Sequence, residues 1–144
     1  MKLYTIGFTK KDARTFFGLL IDNQVRTIID VRIHNQSQLA GFTKKEDLPY
    51  FLEKIAGIGY VHLIEAAPEE SLMKDLHSGK ITWQAFETTY RDLLAKRKVF
   101  EKMDQNILDN GCLLCSEPTP EHCHRRLFAE YLKERIPDLE IVHL

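Results

Sequence analysis

The sequence predicts an α/β fold: one three-layer domain in which a mostly parallel sheet of about five strands has helices on both faces. Two observations lead to this prediction. Short β-branched and apolar runs alternate along the chain with longer segments that carry apolar residues at helical spacing. One run, 25–31, is apolar almost throughout, which is typical of a central parallel strand covered on both faces. Strands that alternate with helices imply right-handed crossovers and therefore a parallel sheet.

In the first half of the chain, the pattern predicts three strands separated by two helices. The first strand is a β-branched and aromatic run that Gly7 closes, and Thr9 is suited to cap the helix that follows. A polar loop, 32–43, precedes the second helix, which ends where two glycines interrupt its apolar face. The strands are predicted over 3–6, 25–31 and 60–64, and the helices over 9–22 and 45–56.

In the second half, three helices and two strands are predicted. The aromatic residues Trp83, Phe86 and Tyr90 recur at helical spacing, and we expect them in the core rather than as a base-stacking platform. Thr119 is suited as a helix N-cap, with Pro120 at the first helical position. The helices are predicted over 68–79, 82–108 and 120–135, and the strands over 112–116 and 140–144.

Composition limits the class of protein. The chain of 144 residues has 44% hydrophobic and 28% charged residues, which fits one globular domain over 1–144. The net charge of -1 gives no overall basic field that would attract nucleic acid. No apolar run approaches the roughly 20 residues that span a bilayer, so no membrane partner is expected. An odd count of three cysteines without a signal peptide predicts reduced thiols in the cytoplasm.

Polar residues follow four of the predicted strands, at the point where each strand ends. They lie in 7–9, 30–32, 62–65 and 115–126. Ligands of parallel α/β sheets bind beyond the carboxyl ends of the strands. The sequence therefore predicts that these four segments converge on one functional site.

The segment 115–126 carries the densest chemistry of the chain, with two cysteines, two histidines, two arginines and two glutamates. It precedes a predicted helix, and a helix start attracts anions through its unpaired N–H groups and its dipole. We expect Arg32 and Arg125 to hold a phosphate or carboxylate there. The predicted ligand is a phosphate-bearing small molecule, most simply a nucleotide, or a nucleic acid.

Several further side chains are candidates for roles in this site. Asp30 interrupts an apolar strand and needs a partner, so both an ion pair with Arg32 and a substrate-facing, catalytic role stay open. Glu117 is a candidate general base or ribose ligand, or else it caps the helix. His124 or His62 can shuttle a proton near neutral pH. Tyr60 shares a strand face with His62 and either reaches the cleft or is half-buried.

The positions of the three cysteines predict different roles for them. Residues three apart on a strand point to opposite faces, so Cys112 and Cys115 are not expected to act together, and Cys112 belongs to the core. Cys115 ends the strand, and Cys123 falls near a helix start, where a thiol pKa tends to drop. Either is a candidate reactive thiol or ligand contact, or else a buried, inert one.

The spacing of residues in this segment does not match two specific motifs, those of common zinc sites and of the cysteine phosphatases. His122 and His124 with the two cysteines could ligate a metal, but the spacing matches no common zinc pattern, and we assign no metal. The signature of the cysteine phosphatases requires an arginine six positions after the cysteine. Here that position is Ala129.

Five segments of the chain together resemble one bacterial and archaeal family. They are Leu-Tyr-Thr-Ile-Gly-Phe-Thr at the start, Ile-Ile-Asp-Val-Arg, the loop with Ser37 and Gly41-Phe42, Gly-Ile-Gly-Tyr-Val-His-Leu, and Leu-Leu-Cys-Ser-Glu-x5-Cys-His-Arg-Arg. The family is catalogued as domain of unknown function 488. The resemblance covers nearly the whole chain and implies a three-layer α/β domain, but it assigns no activity.

A second, weaker resemblance is to the rhodanese-like sulfurtransferases. Ile-Ile-Asp-Val-Arg is similar to their strand end, and Cys115 lies about where their persulfide cysteine would lie. The stretch Pro118-Thr119-Pro120 makes a longer loop, which we expect not to form their tight cradle of N–H groups.

The leading hypothesis is a cytoplasmic α/β protein with an anion-binding cleft. If it is an enzyme, hydrolysis or group transfer is expected rather than redox chemistry, because no dinucleotide glycine fingerprint and hence no cofactor is indicated. The first alternative is a thiol enzyme of rhodanese type that uses Cys115 or Cys123. The second is a noncatalytic binding module in which the polar cluster is structural.

Overall fold

A computed structural model describes residues 1–34, 41–44, 46–117 and 119–144 and has the predicted α/β fold. The strands are β1 (Lys2–Gly7), β2 (Thr27–Asp30), β3 (Gly59–His62), β4 (Gly111–Cys115) and β5 (Glu140–His143). The helices are α1 (Ala13–Asp22), α2 (Leu48–Ala56), α3 (Glu70–His77), α4 (Trp83–Arg97), α5 (Val99–Lys102) and α6 (His124–Arg135). The sheet has the order β3-β2-β4-β1-β5, and every neighbouring pair is parallel.

Alternation along the strands sends apolar side chains into two separate cores. Ile28 and Leu114 face the core that α1 and α2 cover, whereas Ile29 and Leu113 face the core that α4 and α6 cover. The strands are therefore buried on both faces, which is why their sequences are nearly continuously apolar. Cys112 and Cys115 lie on opposite faces of β4, as expected from their spacing. No described helix is long and apolar enough to cross a membrane.

Two predicted helix starts are wrong, each because of a side-chain contact to the backbone that the sequence pattern did not indicate. Asp12, not Thr9, caps α1, and its Oδ1 accepts the Thr15 N–H at 2.8 Å. The last helix begins at His124 instead of Pro120. The Arg126 side chain bonds the carbonyls of residues 120 and 121, so that stretch is a loop held by a guanidinium and not a helical turn.

Other predicted boundaries shift by one to a few residues. The helical pattern that began at residue 82 does not continue to 108, because Lys98 takes a left-handed backbone (φ 53°) that ends α4. The second strand loses three of its predicted residues, since Gln24 (φ 55°) turns the chain just before it. Helix α2 begins at Leu48, with a proline in its first turn, and not at the predicted residue 45. Lys45 lies outside the described residues, as does Ser37 of the family motif.

The carboxyl ends of β1 and β4 approach each other closely at Gly7. A Cβ built on Gly7 would lie 1.6 Å from the carbonyl oxygen of Glu117 and 2.9 Å from Nη1 of Arg125. Only glycine fits there, because the loop after β4 runs directly against this residue. The close approach brings the first and fourth of the predicted site segments together.

We expect Gly7→Ala to destabilise the protein by about 3 kcal/mol or more, because the added methyl group must displace backbone in a packed region. The matched control is Gly18→Ala, where a Cβ meets no atom within 4 Å. That change lies inside α1 and should stabilise by roughly 0.5–1 kcal/mol. Urea unfolding measures both, and equal effects would contradict the tight packing at Gly7.

Candidate active site

A cleft with a volume of about 280 Å³ opens beyond the carboxyl ends of β2 and β4. Its floor is polar and comes from the end of β4 and the start of α6: Cys115, Ser116, Glu117, Cys123 and His124. Its walls are largely apolar and come from α3 and α4: Met73, Leu76, Trp83 and Phe86. Two short segments on either side of one loop, 115–117 and 123–124, therefore form one floor.

Asp30 and Arg32 form a buried ion pair. Both oxygens of Asp30 accept from the Arg32 guanidinium at 2.9 Å, and Asp30 is 0% exposed. The Arg32 Nη2 also donates to the carbonyl of Thr43 at 2.7 Å. Arg32 borders the cleft, but its guanidinium is engaged by these partners. Asp30 lies beneath the floor, so this pair holds the end of β2 against the Thr43 segment.

Tyr60 and His62 lie on the same face of β3, as the sequence indicated, and both bond to the ion pair. The Tyr60 hydroxyl donates to Asp30 Oδ2 at 2.6 Å, and Nε2 of His62 donates to the carbonyl of Arg32 at 2.8 Å. These contacts extend the network across the edge of the sheet. Their predicted roles in ligand binding stay predictions.

Cys115 and His124 form a thiol–imidazole pair. The Cys115 sulfur lies 3.5 Å from Nδ1 and 3.6 Å from Nε2 of His124. Nε2 also lies 2.8 Å from the carbonyl of Val31. A carbonyl only accepts, so Nε2 carries the hydrogen, and in the neutral ring Nδ1 is the free proton acceptor. The backbone of Val31 thus fixes the tautomer that can take a proton from the thiol.

The guanidinium of Arg125 lies directly behind the cysteines. Its Nη1 donates to the Glu117 carbonyl at 2.6 Å and to the Cys123 sulfur at 3.5 Å, and its Nε donates to Thr5 at 3.3 Å. Arg125 is 0% exposed, and Nη2 has no hydrogen-bond partner. No carboxylate among the described residues pairs with it. This is a buried positive charge whose nearest groups able to become anions are thiols.

The pKa values of the Cys115 and Cys123 thiols are shifted in opposite directions. The S–H of Cys123 donates to Cys115 and lowers the pKa of Cys115, against burial, with help from the N–H groups of Ser116 and Glu117 and the charge of Arg125. The same bond, together with burial, raises the pKa of Cys123 well above its ordinary value. These opposite shifts favour Cys115 over Cys123 as the thiol that ionises, with Cys123 as its hydrogen-bond donor.

Four aromatic rings stack in a row that extends from the core to the cleft. Tyr90 stacks on Phe86, Phe86 on Trp83, and Trp83 on His122, with ring centroids 5.9, 5.2 and 4.9 Å apart. The expectation that these aromatic side chains belong to the core is correct for Phe86 and Tyr90. Trp83 is only partly buried and borders the cleft, beside the exposed His122.

Some cleft residues were not foreseen from the sequence. His34, Glu70, Lys74 and His77 line the rim, and Glu70 pairs with His34 at 3.4 Å and with Lys74 at 3.6 Å. Three of them belong to α3, a polar helix with no buried residue. Its sequence carries no signal that distinguishes a cleft rim from an ordinary solvated helix.

Cys115, Cys123 and His124 form a group, within the described residues, whose donor atoms lie within 4.8 Å of one another, close enough for a metal ion. Their chemistry suits a thiol site better. A divalent ion beside the buried guanidinium of Arg125 would leave a net positive charge even with both thiols ionised, and burying unbalanced charge is costly. Without a metal and with His124 neutral, a single thiolate balances the charge of Arg125.

The family model Domain of unknown function DUF488 matches residues 12–132. The match includes both cysteines of the floor, His124 and Arg125, and it agrees with the family suspected from the sequence motifs. No curated protein and no solved structure matches the chain.

We expect Asp30→Ala to cost about 3–5 kcal/mol, because it leaves the Arg32 guanidinium buried without its counter-charge. Asp109→Ala is the control, since it removes an exposed pair with Arg26 and should change stability by less than about 1 kcal/mol. Urea unfolding distinguishes the two. A loss at Asp30 as small as that at Asp109 would show that the pair does not hold this edge of the sheet.

The alkylation rate of Cys115 should depend on Arg125. Because the pKa of Cys115 is lowered, its thiolate persists to lower pH than an ordinary cysteine, and alkylation slows only below that lowered pKa. Arg125→Met removes the charge at similar volume and should move the midpoint of the rate–pH curve upward. Iodoacetamide labelling followed by mass spectrometry measures the curve, and an unchanged midpoint would contradict the assigned role of Arg125.

Proposed function

The chain belongs to the family described as Domain of unknown function DUF488, and within it we propose a thiol enzyme in which Cys115 is the nucleophile and His124 its proton acceptor. This proposal develops the first alternative of the sequence analysis. The chemistry would be hydrolysis or group transfer through a covalent bond to the Cys115 sulfur.

The buried charge of Arg125 is the observation that carries the proposal. A guanidinium stays ionised at all relevant pH values, and it is 0% exposed here. Burial of such a charge favours an anion close to it, and no described carboxylate forms an ion pair with Arg125. A thiolate at Cys115 supplies such an anion. The fold thus favours the nucleophilic form of the side chain at the floor of the cleft.

The remaining floor groups have roles consistent with covalent catalysis. An electrophilic substrate in the cleft would meet Cys115 from above, while His124 Nδ1 accepts the thiol proton and returns it to the leaving group. The N–H groups of Ser116 and Glu117, which donate toward the sulfur, stabilise negative charge at that point. Glu117 also borders the cleft and is a candidate base for activating water in a later hydrolytic step.

Anion recognition is the second candidate. Lys74, His34, His77 and His122 border the cleft and could contact a phosphate, as in a nucleotide. The support is weaker, because the two arginines expected to bind the anion make internal contacts instead. A phosphate-bearing substrate and a thiol nucleophile are compatible in one cleft.

A reducing compartment suits this chemistry. All three cysteines are free thiols, and the proposed nucleophile requires a reduced sulfur. We therefore retain the cytoplasm as the proposed location.

Selective labelling tests the proposal. Chloroacetamide probes should label Cys115 and not Cys112, whose burial holds its pKa well above the ordinary value. Cys115→Ser should abolish labelling, and Cys112→Ser should leave it unchanged.

Turnover of a thioester and ester panel, with metal analysis of the purified protein, completes the test. Hydrolysis or transfer that disappears in Cys115→Ser supports the enzyme. One equivalent of zinc that protects Cys115 from labelling would overturn the proposal in favour of a metal site. Tight ligand binding with an unlabelled Cys115 would favour a noncatalytic binding module.

A further inference from the structure

We propose that Cys123 is a resolving thiol and that the cleft takes hydroperoxides, so that the protein reduces an organic hydroperoxide through a Cys115–Cys123 disulfide. This inference rests on the proposed function in one respect, since it requires Cys115 to be the nucleophile.

The placement of the two sulfurs is the first support. Cys115 is 4% exposed and Cys123 is 2% exposed, and both border the floor of the cleft. Their sulfur atoms lie within 4.8 Å of each other. Any group that an electrophile leaves on the Cys115 sulfur is therefore formed within reach of a second thiol. Acyl transfer has no need of such a thiol, whereas a sulfenic acid is reversed by condensing with a neighbouring thiol to form a disulfide.

The local backbone allows the sulfurs to approach. Cys115 ends a central strand and is fixed by its neighbours. Cys123 is the N-cap residue of α6, but its side chain makes no capping hydrogen bond. Its side chain can therefore rotate toward Cys115 without losing a capping bond. Disulfide formation needs a sulfur–sulfur distance of about 2 Å. The two sulfurs lie within 4.8 Å of each other, so they have to approach by less than about 3 Å.

The reaction balances in two steps. The Cys115 thiolate attacks the distal oxygen of ROOH, the O–O bond breaks, and the products are Cys115 sulfenic acid and RO⁻. The RO⁻ takes from His124 Nδ1 the proton that Cys115 lost and becomes ROH. The Cys123 sulfur then attacks the Cys115 sulfur, and the S–O bond breaks. The hydroxide that leaves takes the Cys123 proton and departs as water. An external thiol reductant returns the disulfide to two thiols.

The surroundings fit both steps. Arg125 Nη1 donates to the Cys123 sulfur, so it stabilises the negative charge that develops there as Cys123 loses its proton. The floor admits a small reacting group, and the walls formed by Met73, Leu76, Trp83 and Phe86 suit the apolar part of an organic hydroperoxide. Thiol redox needs no dinucleotide, so the missing glycine fingerprint does not oppose it.

The experiment uses cumene hydroperoxide with the full chain and its three single Cys→Ser variants, read by intact mass and peptide mapping. Wild type should lose two hydrogens by forming the Cys115–Cys123 disulfide, and Cys112→Ser should behave identically. Cys123→Ser should instead gain one oxygen at Cys115, trapped with dimedone as a sulfenic acid. Cys115→Ser should form no disulfide.

Two outcomes would overturn the inference. One is a Cys115 that chloroacetamide labels but cumene hydroperoxide leaves unoxidised, which retains the proposed nucleophile and removes the hydroperoxide. The other is a Cys115 that accumulates two or three oxygens in wild type as readily as in Cys123→Ser, since Cys123 would then not resolve it. An unlabelled and unoxidised Cys115 would instead contradict the proposed function itself.

Discussion

The buried guanidinium of Arg125 is the interaction on which the rest of the site depends. It joins Thr5 of the first strand, the Glu117 carbonyl of the loop after β4, and the Cys123 sulfur at the start of α6. Three separate segments thus meet around one charge. The loop that Arg125 holds also runs directly across Gly7, where there is no room for a side chain.

Arg32 and Arg125 differ in their partners, so Arg32 has a structural role whereas the charge of Arg125 affects the cysteine thiols. Arg32 has a carboxylate partner in Asp30, so its charge is neutralised. The pair stabilises the sheet edge because Arg32 bonds to Thr43 and Tyr60 bonds to Asp30. Within the described part of the chain, Arg125 donates to a hydroxyl, a carbonyl and a thiol and pairs with no carboxylate, so its charge acts on the cysteines. The difference lies in the partner and not in the residue type, and both side chains are equally buried.

Particular residues show how far sequence reasoning reaches. Residue spacing on a strand correctly separated Cys112 from Cys115, because alternation is a local property of extended backbone. The fold class followed from apolar runs for the same reason. The start of α6 was misplaced, because Arg126 bonds to the backbone of the preceding loop, and such a contact depends on a side-chain conformation that spacing does not reveal.

The sequence by itself determined the α/β class, the strand pattern, and the concentration of thiols, histidines and arginines between β4 and α6. These follow from local periodicity and from the rule that polar residues gather at strand carboxyl ends. Only the tertiary structure decided which of these groups meet. It turned Arg32 and Arg125 inward and set the His124 tautomer through the Val31 carbonyl. It also left the buried guanidinium of Arg125 without a carboxylate partner among the described residues. Charge balance in a buried space is a property of neighbours in three dimensions, and the order of residues does not specify it.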